Sequence, residues 1–396
     1  MPWLSACRPV GVLAGQWRCS AFVPRRSADS LQRGFQRLRA LQGKLEWPRL
    51  THFSAFGQQY QLPLSKEETR LSATTSEATI QYLSGFFDGD GCVSPQRSRG
   101  TCSLVVGQVA SNAEVLMRFR DVFGGAIHRA SNGQGLRRPT IKWTISGPEG
   151  QKAAAALARA SIVKYEQLLI ALKWPSSYES RISACQELKR LKMSRLGPRD
   201  VHCTWAYVAG FFDAEGCIQL RASDAHMDLV MVQRHDDVLP KIRRFLQDVC
   251  SSELVVRRTS RGFNRLSVNA RDDVIVVLQR LLSSGLLQKK DQADAALTLQ
   301  HTSHRHVRDS LAAVKGNQMR YARLDFEGCE RARAITAVRN RLWRLQSQGK
   351  VDKALEEQLD KLRQEHGILN LRRAYGLLRA DIRMGLAAGA LITSHT

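Results

Sequence analysis

Two acidic residues occupy equivalent places in a motif that occurs twice along this 396-residue chain. The segment Tyr82–Cys92 reads YLSGFFDGDGC and Tyr207–Cys217 reads YVAGFFDAEGC, so Asp90 of the first copy corresponds to Glu215 of the second. Two carboxylates that come together repel each other and take up protons unless a cation lies between them. Because hard oxygen ligands of this kind select magnesium, the paired acids predict a site for Mg²⁺ or another divalent cation.

This prediction depends on the repetition, because a single DGDG segment is more simply explained as the end of a helix. A carboxylate there meets the unfavourable end of the helix dipole, so its presence in both copies calls for a compensating cation. The repetition also extends beyond the motif, since a glutamine follows each acid by 18 residues and a lysine by 74 residues. These pairs are Gln108 with Gln233 and Lys164 with Lys289. The chain is therefore an internal duplication.

Each copy has the hydrophobic periodicity of a motif helix followed by strands and helices in the order α-β-β-α-β-β-α. Thr74 and Glu77 have the spacing of a capping box at the start of the first motif helix. Gly91 and Gly216 are placed to end the two motif helices. The expected fold class is α+β, with two pseudo-symmetric αββαββα halves.

Small residues recur four positions apart on each motif helix: Gly85 and Gly89 in the first copy, and Gly210 and Ala214 in the second. Residues with this spacing share one helix face, and small side chains allow two backbones to approach closely. We therefore expect the two motif helices to pack along this face across a pseudo-two-fold axis. The acids in their last turns would then meet at one end of the contact.

The segments Leu83–Gly91 (LSGFFDGDG) and Val208–Gly216 (VAGFFDAEG) resemble the two LAGLIDADG motifs of single-chain homing endonucleases and related intron maturases. The resemblance covers residues 76 to 304 and implies two halves with saddle-shaped antiparallel sheets that straddle a DNA duplex. It implies that Asp90 and Glu215 are the catalytic metal ligands, helped by the backbone carbonyls of Gly89 and Ala214. The implied activity is metal-dependent hydrolysis of one phosphodiester bond on each strand, which leaves short 3′ overhangs.

The resemblance also implies roles for the repeated lysines and glutamines. Lys164 and Lys289 match a basic residue that acts at the edge of the active site, early in the last helix of each half. A solvated helix face is the alternative for these two lysines. Gln108 and Gln233 match a polar position, late in the second strand, that commonly faces DNA.

Further polar side chains are expected on the strand faces that contact DNA, because such groups can address base edges. They are Ser94, Gln96, Lys142, Thr144, Gln219, Arg221, Arg265 and Ser267. Counting by twos from Gln108 or Gln233 meets only leucine, valine and methionine in the second strands. Either the register of these strands differs from this count, or the groove is read there through shape and phosphate contacts.

The chain has 60 Lys and Arg against 36 Asp and Glu, a formal net charge of +24. Such a charge favours a polyanionic partner. A membrane partner is disfavoured because no apolar run approaches the roughly 20 residues that span a bilayer. Double-stranded DNA is the expected partner, intron RNA is the alternative, and a monomer is expected because one chain carries both motifs. The nine cysteines form no C-x-x-C pair, which argues against a zinc site or a disulfide framework.

We divide the chain into five segments: a basic N-terminal extension (1–73), a first half (74–175), a connector (176–202), a second half (203–304) and a charged helical C-terminal extension (305–396). Several arginines precede the first acid, Asp29, which is typical of an organellar transit peptide. A basic N-terminus that is never cleaved, with a nuclear location, is the alternative. We expect the C-terminal extension to be a helical hairpin that packs on the protein or holds the DNA backbone, rather than a dimerising coiled coil.

Three functions are compatible with these features: an active site-specific DNA endonuclease, an RNA-binding maturase of the same fold, and a catalytically silent DNA-binding protein. The presence of both acids and both lysines argues against the silent protein. It does not separate the other two, because a maturase can retain its ancestral active site. We take the endonuclease as the working hypothesis.

Overall fold

The computed structural model describes residues 28–67, 75–96, 100–193, 201–220, 226–300, 302–314 and 321–393. Residues 1–27 of the N-terminal extension, the possible transit peptide, lie outside these ranges, as do Thr74 and Arg221. Among the described residues, no helix combines the length and the apolar character needed to cross a membrane. The seven cysteines within these ranges are all free.

The described residues before the first motif, 28–67, form one helix and four short strands. These are α1 (Ala28–Gly43), β1 (Leu45–Glu46), β2 (His52–Ala55), β3 (Gln58–Gln61) and β4 (Leu64–Glu67). Strands β2 and β3 form a hairpin. Part of the segment that the sequence analysis treats as an extension is therefore folded.

The first repeat follows the predicted order of elements and adds one helix at its end. It consists of α2 (Glu77–Asp90), β5 (Gly91–Gln96), β6 (Thr101–Val109), α3 (Glu114–Phe123), β7 (Gly125–Ser131), β8 (Thr140–Ser146), α4 (Gly147–Ala160) and α5 (Tyr165–Leu172). A connector helix, α6 (Tyr178–Met193), leads to the second repeat.

The second repeat has the same order of elements. It consists of α7 (Trp205–Glu215), β9 (Gly216–Leu220), β10 (Met227–Gln233), α8 (Val238–Gln247), β11 (Val256–Arg258), β12 (Asn264–Val268), α9 (Arg271–Ser283) and α10 (Lys290–Leu297). The predicted order α-β-β-α-β-β-α is thus confirmed in both copies, except that the single last helix of each is two helices.

The strands of the two repeats form two antiparallel sheets, one for each repeat. The first has the order β4-β7-β8-β6-β5 and the second the order β11-β12-β10-β9. Strand β4, which precedes the first motif, pairs with β7 at the edge of the first sheet. The first sheet therefore has one strand more than its counterpart.

One face of each sheet packs against the helices and forms the core. In the first repeat, the rings of Phe119 and Trp143 lie 4.9 Å apart between centroids. Phe86 of the motif helix makes an edge-to-face contact with Phe119 at 6.2 Å between centroids. Phe86 and Phe211, which occupy the same motif position in α2 and α7, are fully buried. Since burying such a ring stabilises a fold by roughly 1.5–3 kcal/mol, these side chains fix each motif helix in the hydrophobic core.

The motif helices begin and end at identifiable caps. Helix α2 begins after Ser76, whose hydroxyl accepts a hydrogen bond from the Thr79 amide, so the predicted capping box from Thr74 to Glu77 is wrong. The helix ends at Gly91 as predicted, but with extended backbone (φ −76°, ψ 159°) rather than the left-handed conformation. Glycine is required there because a Cβ atom would overlap the Phe87 ring.

The C-terminal extension is helical, as predicted, and packs against the N-terminal segment. It contains α11 (His304–Val314), α12 (Phe326–Ser347), α13 (Lys353–Ala387) and β13 (Leu391–Ile392). Strand β13 pairs with β1, and a small separate core includes Leu45, Leu378 and Ile382. The two ends of the described chain therefore form one module.

Candidate active site

The two motif helices, α2 and α7, pack against each other through the predicted small residues. A Cβ atom on Gly85 would overlap the Tyr207 carbonyl oxygen, and a Cβ atom on Gly210 would overlap the Tyr82 carbonyl oxygen. The approach is possible only because both positions are glycine. We call this contact the seam.

Asp90 and Glu215 lie at the same end of the seam, each at the last residue of its helix. Here Gly89 faces Ala214, and a Cβ atom on Gly89 would lie 3.1 Å from Cγ of Glu215. Asp90 is exposed and Glu215 is half-buried, so a ligand can reach both carboxylates from solvent.

The surroundings disfavour the ionised form of both carboxyl groups. Partial burial raises the pKa of Asp90. Burial also raises the pKa of Glu215, and the nearby negative charge of Asp90 raises it further. Such a pair is stabilised by an added cation, which removes the repulsion.

Lys164 and Lys289 lie beside the ends of the motif helices. The Lys164 ammonium donates to the carbonyl oxygens of Phe87 (2.7 Å), Asp88 (2.5 Å) and Gly89 (3.0 Å), which offsets the negative end of the α2 dipole. The Lys289 ammonium donates to the Asp213 carbonyl of α7. Burial lowers the pKa of both lysines, so neither lies on the solvated helix face considered as the alternative.

Both lysines lie at the N-cap of a short helix, α5 or α10, and a motif aspartate holds the N-terminus of that helix. The Asp88 carboxylate accepts hydrogen bonds from the amides of Ile162 (2.6 Å), Val163 (2.9 Å) and Lys164 (2.9 Å). These bonds engage the backbone amides of the residues that connect α4 to α5. The segment predicted as one last helix is therefore divided into two helices. Asp88 is not among the site residues predicted from the sequence.

Asp213 does the same for the second repeat. Its carboxylate accepts hydrogen bonds from the amides of Leu287 (2.7 Å), Gln288 (3.0 Å) and Lys289 (2.8 Å). The equivalent positions of Asp88 and Asp213 in the two motifs are the sequence signal that could have identified this role.

Each of these aspartates also accepts a hydrogen bond from a tyrosine of the opposite motif helix. The Tyr207 hydroxyl donates to Asp88 at 2.7 Å, and the Tyr82 hydroxyl donates to Asp213 at 2.7 Å. Burial, followed by the nearby carboxylate, raises the pKa of each tyrosine well above its usual value. Both hydroxyls therefore remain protonated donors that cross the seam.

The two repeated glutamines contact the acids. The Gln108 amide donates to Asp90 at 2.8 Å, and the Gln233 amide donates to Glu215 at 3.1 Å. Gln108 shares its strand face with the buried Leu104, on the helix side of the sheet. Both glutamines therefore lie beside the acids at the end of the seam, and the DNA-facing position expected for them stays a prediction.

The opposite face of the first sheet, its outer face, carries the other polar residues expected there. Ser94 is paired with Ser103. Lys142 is paired with His128, and residues directly opposite in antiparallel strands share a face. The predicted residues on this face are Ser94, Gln96, Lys142 and Thr144. His128 was missed, because only the register reveals it, whereas Ser103 is buried.

The outer face of the second sheet has an equivalent arrangement. The predicted residues on it are Gln219, Arg265 and Ser267. Arg265 lies opposite Arg257, which was missed, just as Lys142 lies opposite His128 in the first sheet. One acid, Asp228, also lies on this face, opposite Gln219.

The ligands at the seam fit a hard divalent cation. Within the described ranges, no three His, Cys, Asp or Glu side chains are grouped so as to hold a metal ion. The two carboxylates would therefore act together with backbone carbonyls and water, which is the ligand set that magnesium accepts. The Gly89 carbonyl already accepts from Lys164 and retains a second lone pair.

No protein-family model and no curated protein matches this chain. Among solved structures, it is similar to the meganuclease I-AabMI bound to uncleaved DNA, with 16% identity over 59% of this chain and 96% of that chain and a TM-score of 0.42. It is also similar to I-SmaMI bound to cleaved DNA (15% identity, 64% of this chain, 98% of that chain, TM-score 0.44). A third is I-GzeII in complex with its DNA target (12% identity, 61% of this chain, 99% of that chain, TM-score 0.44).

A further structure of I-SmaMI was determined in the presence of calcium ions. These similarities assign no role to any residue of this chain. Each of these solved structures is a LAGLIDADG homing endonuclease or meganuclease, and this chain is similar to that family.

Proposed function

We propose that this protein is a site-specific, metal-dependent DNA endonuclease of the LAGLIDADG homing type that acts as a monomer. The observation that carries the proposal is the meeting of Asp90 and Glu215 at one end of the seam. Each of these acids has a glutamine donor and a buried lysine beside its helix end. Two strands of DNA require two such sets of groups, and the duplication supplies both.

The two repeats are related by an internal pseudo-two-fold axis along the seam in this proposal. Support comes from reciprocal contacts: Gly85 meets Tyr207 where Gly210 meets Tyr82. The tyrosine–aspartate bonds across the seam are likewise exchanged between the repeats. The duplex would lie across the outer faces of both sheets, which together would form a saddle.

Mg²⁺ or another divalent cation would be held by Asp90 and Glu215, with the carbonyls of Gly89 and Ala214. When bound, such a cation polarises the scissile phosphate and lowers the pKa of an attacking water. The amides of Gln108 and Gln233 hold each carboxylate in a fixed orientation. We thus reassign these two glutamines from base contact to positioning of the acids.

Lys164 and Lys289 would stabilise the negative charge that develops on the phosphate in the transition state. Both ammonium groups are fixed on helix carbonyls before DNA arrives, so little reorganisation is needed during the reaction. A charge held in place and shielded from water stabilises a transition state more than a mobile surface charge.

The outer faces would contact DNA through two kinds of side chain. Lys142 with His128, and Arg265 with Arg257, are cationic or titratable pairs in equivalent places that suit phosphates and guanine edges. The shorter polar side chains Ser94, Gln96, Thr144, Gln219 and Ser267, with Arg221 beyond β9, suit base edges within the groove.

The test is a cleavage selection with the full chain, Mg²⁺ and a library of random duplexes. We expect a subset of sequences to be cut on both strands, and we expect Asp90→Asn to stop cutting while it leaves duplex binding intact. The matched control is Glu357→Gln, which removes an exposed carboxylate on α13. Failure to recover any cut sequence, together with tight binding of a structured intron RNA, would favour the maturase.

A further inference from the structure

Each motif helix makes a hydrogen bond to the aspartate that holds the lysine of the opposite repeat. In the first repeat, the chain of contacts runs from the Tyr207 hydroxyl to Asp88, and from Asp88 to the Lys164 amide at 2.9 Å. The Lys164 ammonium then reaches the end of α2. The position of the first lysine thus depends on a hydroxyl from the second repeat.

The second repeat has the converse arrangement. The Tyr82 hydroxyl donates to Asp213, which accepts from the Lys289 amide at 2.8 Å. Both aspartates are buried. A buried carboxylate that loses one donor must find another or rearrange the segment around it.

We propose that Tyr82 and Tyr207 are crossed positioning residues, each of which orients the lysine of the repeat to which it does not belong. This inference rests on the proposed endonuclease function. If each lysine serves the cleavage of one DNA strand, loss of one tyrosine hydroxyl slows the cutting of one strand. Loss of the other hydroxyl slows the cutting of the opposite strand.

The two sites are not equally robust. Asp88 also accepts a hydrogen bond of 2.5 Å from the Ser161 hydroxyl, whereas the equivalent position in the second repeat is Leu286, which has no hydroxyl. Within the described residues, the Lys164 ammonium contacts three carbonyls and that of Lys289 contacts one. Tyr82→Phe should therefore have the larger effect of the two substitutions.

The test measures strand cleavage with an end-labelled target recovered by the selection described above. For Tyr82→Phe we expect one strand to be cut about 10–100-fold more slowly, the range usual for removal of a group that orients a catalytic residue. The other strand should be cut at nearly the wild-type rate, so that nicked duplex accumulates. Tyr207→Phe should produce a smaller bias toward the opposite nick.

The matched control is Tyr321→Phe, which removes a half-buried tyrosine–aspartate hydrogen bond of 2.6 Å in the terminal module. It should lower stability without any strand bias. Equal slowing of both strands by Tyr82→Phe, or the same strand bias from both seam variants, would show a merely structural role and overturn the proposal.

A second measurement needs neither DNA nor activity, and it separates this inference from the proposed function. Amide hydrogen exchange of the free protein should rise around residues 286–290 in Tyr82→Phe and around residues 161–165 in Tyr207→Phe. If the wild-type protein cuts no DNA but the two variants show this crossed exchange pattern, the proposed endonuclease function is wrong and the proposed coupling between the repeats still holds. Uncrossed or unchanged exchange rejects the coupling.

Discussion

Gly210 lies so close to Tyr82 across the seam that a Cβ atom on it would overlap the Tyr82 carbonyl oxygen and lie 2.9 Å from the Phe86 amide nitrogen. These neighbours are backbone atoms of a buried helix and cannot move aside singly. We therefore expect Gly210→Ala to lower the free energy of unfolding by about 1–3 kcal/mol or more, as overpacking does in a dense core.

Chemical denaturation would measure this effect, and Gly376→Ala is its matched control. Gly376 also lies within a helix, but a Cβ atom there meets no other atom within 4 Å. That substitution should raise stability by about 0.5–1 kcal/mol, because alanine favours a helix more than glycine does. Equal effects of the two substitutions would contradict close packing at the seam.

Removal of one seam carboxylate should stabilise the metal-free protein near neutral pH. Burial and Asp90 raise the pKa of Glu215 above its value in the unfolded chain, so the folded state binds the proton more tightly. The ionised Glu215 carboxylate therefore destabilises the folded protein. This destabilisation is absent at pH values below the pKa of Glu215 in the unfolded chain and complete at pH values above its pKa in the folded protein. Glu215→Gln should therefore raise the free energy of unfolding by up to about 1 kcal/mol at pH 7, a value limited by solvent screening.

Urea titrations at several pH values, with and without Mg²⁺, would check this expectation. The difference between wild type and Glu215→Gln should shrink as the pH falls toward 4. Added Mg²⁺ should stabilise the wild type more than the variant, because a ligand that binds only the folded state adds to its stability. Destabilisation by Glu215→Gln in metal-free buffer would contradict the predicted repulsion.

Gln108→Ala should impair cleavage and leave DNA affinity nearly unchanged. The Gln108 amide lowers the pKa of Asp90 and holds its carboxylate, so its loss should weaken metal binding and slow cutting by about 10–100-fold. The measurements are the cleavage rate as a function of Mg²⁺ concentration and the Kd for the target.

Lys142→Ala provides the reverse comparison, since Lys142 lies on the outer face of the first sheet. It should raise the Kd and change the saturated cleavage rate little. If Gln108→Ala instead raised the Kd at an unchanged saturated rate, the glutamine would face DNA, as the family resemblance implies.

DNA affinity should fall steeply as salt is added, because the positive side chains displace counterions from phosphates. Arg265→Gln on the outer face of the second sheet should reduce the slope of log Kd against log salt by about 1 if it contacts a phosphate. Fluorescence anisotropy over a salt series would measure the slope. A flat dependence for the wild type would argue against a polyanion groove.

The repeated motif by itself determined which residues lie at the ends of the motif helices and which small residues form the seam. It could do so because helical periodicity and glycine spacing are local properties of the chain. The same local patterns predicted the order of strands and helices in both repeats. The prediction of a cation site at the paired acids also followed from their residue types alone.

Only the tertiary structure decided the partners of these residues. Asp88 captures the amides of a segment more than seventy residues away, and this divides the predicted last helix in two. The register of the first sheet determines that the Gln108 side chain lies on the helix side of the sheet, where it contacts Asp90, and not on the outer face. Tyr82 and Tyr207 exchange aspartates across the seam. Hydrogen bonds between distant segments and the register of paired strands depend on how whole helices and strands pack. They cannot be predicted from the local periodicity of the sequence.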